Sequence, residues 1–173
     1  PYNPELAARM RGFAATEDKI YLSLKQDVDG QGLVKIYFTE NGEPYKMPNG
    51  QYDKGTFMYP WFVKRENAVM ANILYGRYLR TENPVCKEKY RHLLLETAHQ
   101  YLTLNPEIEY PVYARSMAVV INLLLNVYDM TGDELYLHRA DHFGRVAVDL
   151  LFDDSCPLPK INSVDDWYEN SNN

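Results

Sequence analysis

Three short segments concentrate the side chains that can do chemistry. The first holds Tyr59, Trp61 and Arg65; the second Glu109, Tyr110, Tyr113 and Arg115; the third Asp165, Asp166, Trp167, Tyr168 and Glu169. Aromatic planes for stacking, together with carboxylates for proton transfer, are what a saccharide site needs. Asp165, Asp166 and Glu169 are the acid/base candidates, since i,i+4 or i,i+3 spacing can place two carboxyls on one helical face. A glycoside hydrolase needs its two carboxyls about 5–9.5 Å apart, flanking the bond to be cut. One short helix seldom supplies both, and the plainer reading is a group of helix-start acids stabilised by the dipole. In a lyase, Tyr110, Tyr113 or Tyr168 would move the proton while an Arg neutralises a uronate carboxylate. Each Tyr reads equally as an ordinary core or surface aromatic. Tyr59, Trp61, Arg65, Tyr110, Trp167 and Tyr168 are the substrate-binding candidates, and Tyr113 and Arg115 join the three acids as catalytic ones.

Those segments gain meaning from a repeat. Shifted by 50 residues without gaps, Arg65 meets Arg115, Ala68 meets Ala118, Val69 meets Val119 and Asn72 meets Asn122. Leu74 meets Leu124, Tyr78 meets Tyr128 and Thr81 meets Thr131. Seven identities in 17 positions stand well above the roughly one expected by chance and mark a repeat architecture. Positions 65, 68, 69 and 72 share a helical face, so the same surface is reused.

Each unit reads as a helical hairpin. Residues 61–80 and 111–130 are apolar on nearly every face, which predicts first helices buried on both sides. Residues 86–104 and 134–152 are amphipathic, with stripes Tyr90, Leu94, Ala98, Tyr101 and Tyr136, Ala140, Phe143, Ala147, Leu150. Asn83-Pro84, Asn105-Pro106 and Thr131-Gly132-Asp133 break the chain between them. Buried-then-exposed alternation describes two layers of helices, in an α-solenoid or a closed α/α toroid. A plain bundle with two chance-similar hairpins is the alternative. Upstream, residues 4–16 predict a helix with Leu6, Met10 and Phe13 on one face, opened by Asn3 and Pro4. Residues 19–24 and 33–39 read as strands, the second closed by Asn41-Gly42. The expected layout is thus helix, strands and loops over 1–60, hairpins over 61–104 and 111–152, and the start of a third unit over 161–173, with Ser163 as its N-cap.

Residues 19–140 resemble the α/α-toroid sugar enzymes of the N-acylglucosamine 2-epimerase and six-hairpin glycosidase type. The likeness rests on Tyr21-Leu22-Ser23-Leu24, on Asn41-Gly42-Glu43-Pro44 before the helix at Trp61, and on the run from Tyr128 through Thr131-Gly132-Asp133 and Tyr136-Leu137 to Ala140. The resemblance implies a mainly α fold, an incomplete (α/α) toroid, and part of a carbohydrate-active enzyme binding a saccharide where the inner helices begin. A sugar epimerase or isomerase of the same fold is the second expectation. Those epimerases move protons with cleft histidines, and none of the three segments contains His. A non-catalytic helical-repeat interaction module is the third. A toroid of six or seven hairpins needs about 300 residues at this period, so either the rest of a larger chain or additional subunits would complete it.

Charge and composition exclude other classes. The net charge is −6, with 18 Lys and Arg scattered among 24 acids, which disfavours nucleic acid. The chain has no apolar run of the roughly 20 residues a membrane span requires. No basic-then-apolar leader opens it, though a chain starting at Pro1 leaves export before processing open. No cofactor is implied. His138 and His142 have metal-ligand spacing but lie beside the apolar stripe of their helix, so no metal is expected there; His92 and His99 read the same way. Cys86 and Cys156 fall at opposite ends of parallel helices, about 27 Å apart by helical rise, and are expected to be free thiols.

Overall fold

The computed structural model describes residues 3–23, 39–41, 43, 48, 60–105, 112–154 and 158–163, with the backbone alone at 17, 18, 20–23 and 60–67. Among these are five helices: α1 (Pro4–Ser23), α2 (Pro60–Arg80), α3 (Pro84–His99), α4 (Ala114–Thr131) and α5 (Glu134–Leu151). No strand occurs among the described residues; Tyr113 and Asn162 form an isolated antiparallel bridge.

The strand expected over 19–24 is corrected, because α1 runs on through Ser23. Nothing between Thr16 and Ser23 breaks a helix, and extending an existing one is easier than nucleating a new element. The second expected strand lies outside the described residues, except for its turn. There Thr39 N donates to Glu43 O at 2.8 Å, and Glu43 N donates to Thr39 Oγ1 at 3.3 Å. Leu6, Met10 and Phe13 of α1 remain exposed. No described helix is long and apolar enough to cross a membrane.

Helices α2–α3 and α4–α5 form two hairpins whose first helices lie against each other. Helix α2 packs on both α3 and α4, and α4 packs on α5. The core joins Ala71 and Leu74 of α2, Tyr90, Leu94 and Ala98 of α3, Val120, Leu123 and Leu124 of α4, and Tyr136 and Phe143 of α5. Both predicted amphipathic stripes therefore face inward, with Ala147 and Leu150 at its margin.

The two interhelical turns use the same chemistry. Asn83 Oδ1 accepts from Val85 N and Cys86 N, with Pro84 at the first helical position. Asp133 Oδ1 accepts from Leu135 N. Two residues before each cap sits the repeated Thr: Asn83 N donates to Thr81 Oγ1 at 3.3 Å and Asp133 N to Thr131 Oγ1 at 3.2 Å. The Thr81/Thr131 identity is thus a turn device. Gly132 ends α4 with φ 71°, its N–H donating to Tyr128 O. A Cβ there would meet nothing within 4 Å, so the penalty is purely conformational. Gly132→Ala is expected to lower unfolding free energy by roughly 1–2 kcal/mol, read as a shift in urea midpoint at constant slope.

Burial of the first helices differs from expectation. Helix α4 buries Ser116, Met117, Val120, Leu123, Leu124 and Val127 but exposes Ala118, Asn122 and Leu125. On α2, Ile73 and Leu79 are exposed. Helix α4 packs on α2 and α5 and touches α3, and its Ala118, Asn122 and Leu125 side is exposed.

Candidate functional site

Residues 160–163, just before the third chemistry-bearing segment, meet the second segment at the start of α4. Ala114 N donates to Ile161 O at 3.0 Å and Ser163 N to Val112 O at 2.8 Å. Val112 N donates to Ser163 Oγ at 3.0 Å. Lys160 N reaches Leu151 O at 2.6 Å, pinning the returning chain to the end of α5. Backbone pairing thus holds 160–163 against the N-terminal end of α4. The pairing involves mostly main-chain atoms, so the residue pattern does not announce it.

Tyr113 is the N-cap of α4, extended at φ −112° and ψ 134°, and makes no side-chain capping bond. Its side chain is buried. Arg115, in the first turn, is exposed and pairs with no acid among the described residues. A guanidinium there sits at the positive end of the helix dipole, which costs about 0.3–1 kcal/mol without a compensating anion. Ser116 beside it is fully buried and its hydroxyl has no hydrogen-bond partner among the described residues. The backbone of Trp61 and Arg65 lies in the first turns of α2. Tyr59, Tyr110, Asp165, Asp166, Trp167, Tyr168 and Glu169 lie outside the described residues, as does any helix capped by Ser163.

Polar contacts join the first helices below this end. Asn72 Nδ2 donates to Val119 O at 2.8 Å, and Asn126 Nδ2 donates to Asn72 Oδ1 at 2.9 Å. Tyr75 OH donates to Asp129 Oδ2 at 2.7 Å. Burial, and then the Asp129 carboxylate, push the Tyr75 hydroxyl up to about 12. Neither Asn126 nor Asp129 stood out in the sequence, since each is a single polar residue in an apolar run.

The outer helices carry the remaining titratable groups. His92, His99 and His138 are exposed, and the His142 ring stands edge-on to Phe143. No group of three or more metal-ligating side chains gathers among the described residues. An open groove of about 570 Å³ on α5 is lined by Asp141, Gly144, Arg145, Val148 and Asp149. Arg145 Nε donates to Asp141 Oδ2 at 2.8 Å, and this bond holds the Asp141 carboxyl below its usual range. One helix face supplies the whole groove, and it shares no residue with the α4 end. Cys86 is a free thiol in the first turn of α3; Cys156 lies outside the described residues. Compared with protein families, curated proteins and solved structures, the chain matches none.

Proposed function

We propose that the chain is part of a carbohydrate-active enzyme, a glycoside hydrolase or polysaccharide lyase, that binds a saccharide where its inner helices begin. The observation that carries the reading is the pairing of Val112–Ala114 with Ile161–Ser163. It holds the chain that leads into the third aromatic- and acid-bearing segment at the end of α4, beside Arg115, a cation that has no acid partner among the described residues. A sugar carboxylate on Arg115 would remove the mismatch between that charge and the helix dipole. Tyr113 would frame the sugar, and Asp165, Asp166 and Glu169 would supply the proton-transfer carboxyls.

Titration calorimetry on the full chain, with uronate-containing and neutral oligosaccharides of equal length, tests this. Uronate chains are expected to bind more tightly, and Arg115→Gln to weaken them about tenfold or more with little effect on neutral chains. An affinity indifferent to Arg115, or no binding of either kind, would sink the proposal. A second reading, a helical-repeat interaction module without catalysis, is favoured by the open face of α4.

A further inference from the structure

Helices α2 and α4 are joined by side-chain hydrogen bonds from one row of residues on each. On α2 the row is Ala68, Asn72 and Tyr75; on α4 it is Val119, Asn126 and Asp129. Residue 72 meeting 119 and 126, and residue 75 meeting 129, make the helices parallel and keep them near the repeat offset. Shifted by one repeat, each row reappears on the other helix. The α2 row becomes Ala118, Asn122 and Leu125 of α4, and the α4 row becomes Val69, Gly76 and Leu79 of α2, with Ile73 where Leu123 stands. Both second copies are open. Ala118, Asn122 and Leu125 are exposed, as are Ile73 and Leu79, with Val69 and Gly76 half-buried. Ala68 and Leu123, their counterparts in the contact already made, are fully buried. The chain therefore carries both halves of its own internal interface a second time.

Residues that differ between the two sets of rows differ together. Asn72 and the Val119 carbonyl it binds recur unchanged, as Asn122 and Val69. Where Tyr75 bonds to Asp129, the second rows offer Leu125 and Leu79, an exposed apolar couple in place of a hydrogen-bonded one. Where Asn126 donates to Asn72, α2 has Gly76, which brings no amide. Arg80 brings a donor there instead: its Nη2 lies 3.3 Å from the point where a Cβ on Gly76 would stand. The two open rows cannot meet within one chain, because α2 and α4 already touch through the first rows. A second copy of the chain supplies each row with its complement.

We propose that copies of this chain associate head to tail, the Ala118, Asn122 and Leu125 row of α4 in one copy docking on the Val69, Ile73, Gly76 and Leu79 row of α2 in the next. Asn122 Nδ2 donates to the Val69 carbonyl across the contact, Arg80 donates to Asn122 Oδ1, and Leu125 packs on Leu79. Such a contact is heterologous. Each copy engaged on one side keeps its other row open, so assembly continues to a ring or an open chain. It needs no saccharide, so it stands or falls separately from the proposed activity.

Sedimentation velocity of the full chain tests it, with two single variants and their mixture. Ala118→Arg spoils only the α4 row and Ile73→Arg only the α2 row. Both positions are exposed, so each variant is expected to keep the parent's circular dichroism and urea midpoint. One helix face on another is a small contact of the weak, transient class, so the parent is expected to associate with a Kd below about 1 mM. Each variant alone is expected to associate at least about tenfold more weakly. An equal mixture is expected to recover the parent's affinity and to stop at a dimer, because the intact α4 row of one variant meets the intact α2 row of the other. Neither an unfolded variant nor a two-fold symmetric contact gives that result. Leu125→Glu and Leu79→Glu, also at exposed positions, form a second pair with the same expected outcomes. A parent that stays single up to about 1 mM, or folded variants whose mixture stays single, overturns the proposal. So does association lost in Ala118→Arg but kept in Ile73→Arg, which would pair α4 with α4.

Discussion

Phe143→Ala is expected to cost about 3–5 kcal/mol of unfolding free energy, a large share of the 5–15 kcal/mol typical of a folded domain. The ring is fully buried on the inward stripe of α5. It also supports a latch between the hairpins. The Arg139 guanidinium lies 5.0 Å from the ring centroid. The same Arg donates from Nε to Tyr101 O at 2.9 Å and from Nη2 to Asn105 Oδ1 at 3.2 Å. Removing the ring leaves a cavity and takes the packing from under Arg139, so the end of the first hairpin loosens together with α5. Urea unfolding followed by circular dichroism reads the effect as a lower midpoint with an unchanged slope. Val148→Ala, at an exposed position on the same helix, is expected to stay within about 0.5 kcal/mol of the parent. A Phe143→Ala loss no larger than that of Val148→Ala would mean the hairpins are not held together here.

Helices and their turns were legible in the sequence because each rests on local chemistry. Asn83-Pro84 and Gly132-Asp133 stop one helix and cap the next using only nearby atoms, and the stripes through Tyr90 and Tyr136 follow from helical period. The misreading at 19–24 has the opposite origin. Ile20 and Tyr21 favour strands in isolation, but they continue a helix already formed, and context outweighs so weak a preference.

The candidate site was legible only in part. The repeat puts Tyr113 and Arg115 at the start of the second hairpin's first helix, and they stand there. What brings Ile161–Ser163 beside them is main-chain hydrogen bonding, to which side-chain identity contributes only the Ser163 hydroxyl. The expectation that both first helices are buried all round failed for a related reason. A repeat gives equivalent positions, not equivalent neighbours. Leu74 and Leu124 are both buried, whereas Ala68 is buried and Ala118 exposed. The second residue of each pair depends on what lies on the far side of α4.

Asn72 makes that difference measurable. Its amide both donates to α4 and accepts from it. Asn72→Ala removes both bonds and strands the half-buried Asn126 amide, with an expected loss of about 1–3 kcal/mol. Asn126→Ala removes one bond and leaves Asn72 attached to Val119 O, so its expected loss is smaller. The double variant should cost little more than Asn72→Ala alone, because once Asn72 is gone Asn126 has no bond left to lose. A double-mutant cycle on urea midpoints is therefore expected to show a coupling of about 0.5–1.5 kcal/mol. Strict additivity would mean that apolar contacts alone set the packing of α2 on α4. The coupling would instead make a directional amide contact the register pin between hairpins, and it would account for an Asn recurring at the same place in the next unit.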